Sequence, residues 1–188
     1  MHGRGDRMTY TYKSRYRTAQ GLDDIWMRSD GNALTGLWFE GSRGQEDHRT
    51  CREVRDLPIF SETRLWLDIY FSGCQPDFTP HYRIDDLTPF RREIVDAMLS
   101  IPFGETVTYG DIAAAIAKRR GISKMSARAI GGAVGWNPIC IIVPCHRVIG
   151  ANRNLTGYGG GIRNKVGLLA LEGHDMSRFT IPTRGTAI

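Results

Sequence analysis

Between Pro89 and Gly135 the signals that start and stop helices come so close together that only short helices joined by tight turns fit. A first helix is predicted from Pro89 to about Leu99, with Ile94, Val95, Met98 and Leu99 along one side. Thr108-Tyr109-Gly110-Asp111 has the spacing of a capping box, in which the Thr and Asp side chains each satisfy a free backbone N–H at the helix start. It opens a second helix through Ile112, Ala113, Ile116 and Ala117, which the basic break Lys118-Arg119-Arg120-Gly121 ends. Ser123 or Ser126 caps a third helix, Ala127 to Val134, and Gly135 terminates it. Two short helices about a Gly-containing turn make a helix-turn-helix candidate.

The next segment changes character. After Trp136-Asn137-Pro138 comes an apolar run, Ile139-Cys140-Ile141-Ile142-Val143, long enough for a buried strand and too short for a typical independent helix. It delivers Pro144-Cys145-His146-Arg147 to its end, and a glycine-rich loop, Gly157 to Gly161, leads into a last helix from about Ile162 to Leu171. Upstream, Met8–Tyr16 and Ala33–Phe39 read as strands. A helix is predicted from about Phe60 to Phe71, with Leu65, Trp66, Ile69 and Tyr70 as a broad apolar face, closed by Gly73 and Pro76. The proline-containing, acidic stretch Asp77–Thr88 marks a boundary. The expected fold is an α/β N-terminal domain, residues 1–86, with a structural or regulatory role. Residues 87–188 would form a mainly α C-terminal domain with a helix-turn-helix of winged-helix type and a short active-site strand.

At 188 residues and 41% hydrophobic content the chain can bury a core without staples. The four cysteines are widely and unevenly spaced, with no Cys-x-x-Cys pair, so neither a disulfide framework nor a zinc ribbon is expected. Met1–Arg7 is followed by no apolar stretch and no run of about eighteen apolar residues occurs, so membrane insertion and secretion are not expected and a cytoplasmic location is. The net charge of +5 is unevenly placed: residues 1–86 carry 12 Lys/Arg against 14 Asp/Glu, and residues 87–188 carry 13 against 6. The second part has the electrostatic character of a phosphate-binding surface.

Gly131 and Gly132 each cost roughly 1 kcal/mol relative to Ala inside a helix, so close approach of another backbone should compensate. With Ala127, Ala129 and Ala133 they make a nearly bare helix from which Arg128 projects, suited to a DNA groove or to a neighbouring helix. Cys145 has two readings, a buried inert thiol or a nucleophile. His146 beside it favours chemistry, but neighbours on an extended strand point to opposite faces, so thiol and imidazole need a turn or a bridging water. Glu172 either orients His146 through the other ring nitrogen or is a surface residue before Gly173. Tyr109 either packs or donates a hydrogen bond.

In combination these segments change the odds. Asn137-Pro138, Pro144-Cys145-His146-Arg147-Val148, Gly157-Tyr158-Gly159-Gly160-Gly161 and Leu168-Leu169-Ala170-Leu171-Glu172-Gly173-His174 resemble the O6-alkylguanine-DNA alkyltransferase family. Thr106 to Ala113 and Ala127 to Ala133 match the same family in order and spacing, so the resemblance runs from about Pro89 to His174. It implies a DNA repair protein that moves an alkyl group from O6 of guanine to Cys145 in one irreversible turnover, with O4-alkylthymine as a secondary substrate. His146 would be the base through a water, oriented by Glu172; Tyr109 would donate to the leaving guanine, and Asn137 would hold the turn before the active-site strand. Ser126, Ala127, Arg128, Ala129, Gly131 and Gly132 would lie in the minor groove of double-stranded DNA, Arg128 filling the place of a flipped nucleotide. Tyr158, Gly159, Gly160, Trp136 and Val148 would form the base pocket, Val148 through its backbone. No cofactor and no metal is implied, and the protein would act as a monomer, with cooperative binding along DNA as the alternative. Cys140 and Gly159 depart from residues common among relatives and bear on the size of alkyl group accepted.

Three other readings have distinct signatures. A lesion-binding relative lacks the acceptor cysteine, whereas Cys145 is present. A cysteine hydrolase would turn over, and a plain DNA-binding regulator would leave Cys145 incidental.

Overall fold

The computed structural model describes residues 11–18, 21–42 and 51–182. Its first part is a four-stranded mixed sheet of β1 (Thr11–Tyr16), β2 (Ile25–Ser29), β3 (Leu34–Phe39) and β4 (Cys51–Glu53), in the order β3-β2-β1-β4. β1 and β2, and β2 and β3, pair antiparallel; β4 joins β1 in parallel. Alternation in β2 puts Ile25, Met27 and Ser29 inward, where they meet α1 (Pro58–Phe71). Of the strand expected over Met8–Tyr16, Met8 to Tyr10 lie outside the described residues. β2 and β4 were not expected: β2 has only three apolar residues in a row before a charge and a serine, and β4 has a single apolar-type residue.

The predicted start of α1 shifts to Pro58, whose fixed φ suits the first helical position. Its buried face is Ile59, Phe60, Thr63, Trp66, Leu67 and Tyr70, so Leu65, expected inside, is exposed at 55%. Leu65 sits one position from that stripe, and the wide run of apolar residues hid the helical period.

α2 (Pro89–Leu99) is capped by the Thr88 hydroxyl, which accepts from the Arg91 N–H, and buries Ile94, Val95 and Met98; Leu99 is exposed. α3 (Tyr109–Arg120) begins in the predicted capping box and ends at left-handed Gly121. α4 (Ala127–Gly135) has Ser126 in the cap position without a side-chain cap bond. α3 and α4 pack together across the intervening turn. α5 (Ile162–Leu171) closes the chain's last packed layer. A short parallel pair, β5 (Val107–Thr108) with β6 (Val148–Ile149), ties the start of α3 to the segment after Cys145.

The active-site strand over Ile139–Val143 is a correction. Ile139 bridges Leu37 of β3, and then Ile141 takes φ +70°, so the chain reverses at once, with Ile142 N–H bonding to the Cys140 carbonyl and Val143 N–H to that of Ile139. The residues are buried as an apolar strand would be, but in a tight loop. Cys145–Arg147 follow as one 3-10 turn.

One hydrophobic cluster joins Phe39, Phe60, Leu67 and Tyr70 of the first part to Met98, Ile116, Ile130 and Val143 of the second. No described helix is long and apolar enough to cross a membrane, and no cluster of metal-ligating side chains occurs among the described residues.

Candidate active site and nucleic-acid interface

The loop from Asn137 to Cys145 is tied by one side chain. Asn137 Oδ1 accepts from the Ile139 N–H at 3.1 Å, while Nδ2 donates to the Val143 carbonyl at 2.8 Å and to the Cys145 sulfur at 3.1 Å. The amide therefore holds the turn and touches the thiol. Burial pushes the Cys145 pKa up; the Asn137 amide, the Lys165 charge and the Cys145 and His146 N–H groups pull against it without cancelling it. A thiol in this setting is protonated at neutral pH and needs a base.

His146, next along the same 3-10 turn, is fully buried. Its Nε2 lies 2.7 Å from Glu172 Oε1, and Tyr70 also donates to Oε1 at 2.7 Å. Glu172 further accepts the Arg147 guanidinium in a fork, Nε to Oε2 and Nη2 to Oε1, both at 2.9 Å, and the Gly104 N–H at 3.2 Å. Burial alone would raise the Glu172 pKa; the hydrogen bonds and charges of His146 and Arg147 overcome it and hold it at about 2. A carboxylate so firmly ionised accepts the Nε2 proton, which fixes the neutral tautomer with a lone pair on Nδ1. Nδ1 is buried and meets no hydrogen-bonding group among the described residues. Burial lowers the His146 pKa despite Glu172, so the ring is neutral at pH 7.

A second buried cation lies on the other side. Lys165 of α5 is fully buried and donates to the carbonyls of Val148 at 2.6 Å and Thr156 at 3.2 Å. Burial brings its pKa down to about 8, opposed by the Cys145 sulfur. Tyr70, Arg147 and Lys165 were not assigned as site residues from sequence. Lys165 left a readable sign, a lysine on the apolar stripe it shares with Leu168 and Leu169. Tyr70 left none, since an aromatic on a helix's buried face reads as core.

Cys145 opens on a cavity of about 40 Å³, enough for water, lined by Val134, Gly135, Asn137, Cys140, Tyr158 and Gly157 to Gly160, with Trp38 and Ser42 from the first part of the chain. Tyr158, Gly159 and Gly160, expected in the base pocket, line this cavity. A Cβ on Gly160 would meet the Tyr158 ring at 2.7 Å and Phe39 at 3.0 Å, so only glycine fits there. Trp136 and Val148 do not line the cavity. The Arg91 guanidinium covers the Trp136 ring at 3.8 Å, and both backbone groups of Val148 are engaged, its N–H by Cys145 and its carbonyl by Lys165. The Tyr109 hydroxyl sits behind Gly157, donating to the Thr156 and Gly157 carbonyls at 3.2 and 3.3 Å. Burial pushes its pKa up to about 12, so it carries its proton at neutral pH.

Ser126, Ala127, Arg128, Ala129 and Gly132 are exposed, and Gly131 is half-buried. The expected close approach of a backbone to the two glycines is absent among the described residues: a Cβ on Gly132 would meet nothing within 4 Å, and one on Gly131 would just touch the Tyr109 ring. A groove of about 1070 Å³ between α3 and the start of α4 is lined by small residues, by Ile122 and Met125 and by Lys118, Lys124 and Arg128.

A family model described as the DNA binding domain of 6-O-methylguanine DNA methyltransferase matches residues 89–174. A methylated-DNA–protein-cysteine methyltransferase of Mycobacterium bovis is 49% identical over 158 residues, covering 84% of this chain and 91% of that protein. The crystal structure of Mycobacterium tuberculosis O6-methylguanine methyltransferase aligns with a TM-score of 0.72 at 36% identity, covering 93% of this chain and 96% of that one. That of M. tuberculosis OGT in complex with DNA aligns with a TM-score of 0.71 at 36% identity, over 89% and 94% of the two chains. With this similarity running through both parts of the fold, the chain belongs to the family of methylated-DNA–protein-cysteine methyltransferases.

Proposed function

We propose that this protein draws an O6-alkylguanine out of double-stranded DNA and transfers the alkyl group once, irreversibly, to Cys145. The observation that carries the reading is the line of buried groups from Arg147 through Glu172 to His146, ending in an unpaired basic nitrogen on the turn that bears the thiol. The Cys145 proton passes through a water to His146 Nδ1, and the thiolate attacks the alkyl carbon. A carbon–sulfur bond forms as the carbon–oxygen bond breaks, and the electron pair moves onto guanine. Tyr109 donates to the guanine ring, so that neutral guanine leaves rather than its anion. The Arg147 fork stabilises Glu172 as an anion, so Glu172 orients the imidazolium and helps to stabilise it without taking its proton. The thioether offers no leaving group that water displaces, so one protein repairs one base.

The bare face of α4 supports minor-groove contact: nothing on Gly132 stands between the helix backbone and a partner, and Arg128 projects from the same exposed turn. Lys118, Lys124 and Arg128 would bind phosphates in a salt-dependent way, and Arg128 would offset part of the few kcal/mol that flipping costs. In this reading the helix-turn-helix belongs to a winged-helix arrangement, and the protein acts as a monomer in the cytoplasm. Binding of duplexes by Cys145→Ala tests the recognition step. The variant should prefer a duplex with one O6-methylguanine over the same duplex with guanine, and equal affinities would contradict base extrusion into this pocket.

A further inference from the structure

The Gly157–Gly161 wall of the pocket is held from behind by the first part of the chain. Asn164, fully buried in the first turn of α5, donates to the Gly160 carbonyl at 2.6 Å and to Asp23 Oδ2 at 2.8 Å, and its Oδ1 accepts the Asp23 N–H at 3.0 Å. Every contact of that amide thus joins the glycine wall to the turn before β2. The turn is braced in its own right: Thr18 Oγ1 donates to the Leu22 carbonyl at 2.9 Å, the Thr18 N–H bonds Asp24 Oδ1 at 3.1 Å, and Arg163 Nε bonds the Gly21 carbonyl at 3.0 Å. Leu22 seats on Gly167 so closely that a Cβ there would lie 2.5 Å from its Cδ2. On the front of the wall, Gly160 is pressed by Tyr158 and Phe39, and Gly159 faces the Gly135 carbonyl.

We infer that Asp23 and Asn164 form a latch that sets how far the glycine wall stands from Cys145, and so limits the size of alkyl group the protein accepts. They are positioning residues, since neither touches the cavity. The inference rests on the alkyl-transfer reading of Cys145. The cavity beside Cys145 is small, and its glycine wall carries no side chain except that of Tyr158; among the described residues, side chains restrain its carbonyls at two points, the Tyr109 hydroxyl at Gly157 and the fully buried Asn164 amide at Gly160, and only the second ties the wall to the turn before β2. With the latch open the wall can retreat, which costs a small alkyl group its ordered pocket and gives a large one room.

Rates of alkyl transfer from duplexes carrying O6-methylguanine and O6-benzylguanine would be compared in the wild type, Asp23→Ala and Asp23→Asn. Transfer of methyl by the wild type comes first, and its failure would sink the alkyl-transfer reading itself. With transfer established, Asp23→Ala should raise the benzyl-to-methyl rate ratio by about five-fold, the scale of one hydrogen bond. Asp23→Asn keeps an acceptor for Asn164 and should restore the ratio. Amide hydrogen exchange of Gly157 to Gly161, which needs no substrate, should quicken in Asp23→Ala and return in Asp23→Asn. A general loss of stability would lower both rates together; a ratio unchanged in Asp23→Ala overturns the latch, whatever the exchange shows.

Discussion

Cys145 sits where burial works against its ionisation, and its neighbours pull the other way without cancelling that effect. Asn137 touches the sulfur, His146 offers a neutral ring, and Lys165 places a cation behind the pocket. Lys165 carries the clearest pH signature. Its pKa is about 8 when folded against an ordinary 10.5, so between those values the unfolded chain holds a proton that the folded protein has released. Stability from this group therefore rises with pH across that window, by up to roughly 3 kcal/mol. Denaturant titrations at pH 7.5 and 10.5 check it, those values being set by the two pKa limits. Wild type minus Lys165→Met should show the rise, and parallel curves would contradict a buried ammonium. The lysine was visible in the sequence as a charge on an apolar stripe. The Tyr70 hydroxyl was not, because only its partner Glu172, far along the chain, makes it more than a core aromatic.

Among the elements, α4 gives up stability for a bare surface. Gly132 has open space where a side chain would stand, so Gly132→Ala should stabilise the helix by about 1 kcal/mol in thermal unfolding. The same change should weaken duplex binding if α4 lies in a groove, and Arg128→Ala should slow transfer from duplex DNA more than from free O6-benzylguanine. A stabilised Gly132→Ala protein with unchanged duplex affinity would remove α4 from the interface. The helices were legible because Pro89, the Thr108–Asp111 box and Gly121 mark their ends with local chemistry. The loop Ile139–Val143 was not, since an apolar run reports burial and not direction. Its reversal at Ile141 and its fastening by Asn137 and Leu37 are tertiary facts.

Across the whole molecule, the first part of the chain is built into the site. β3 accepts the Cys140 N–H at the Leu37 carbonyl and donates the Leu37 N–H to Pro138; Tyr70 reaches Glu172, Asp23 reaches Asn164, and Trp38 and Ser42 line the cavity. Sequence reading located the chemistry in residues 87–188 and left this support unseen, because it rests on pairings between segments about a hundred residues apart. A fragment of residues 87–188 should accordingly lack a cooperative unfolding transition and transfer no methyl group. A fragment that unfolds cooperatively and reacts at the full rate would show the support to be dispensable.

In the proposed reaction Cys145 itself receives the alkyl group. Intact mass after incubation with an excess of duplex containing O6-methylguanine, followed by peptide mapping, reads this out. One added methyl group per protein is expected, located on Cys145 and absent in Cys145→Ser. Binding of the lesion with no change in mass, or release of methylated product over repeated turnovers, would contradict it.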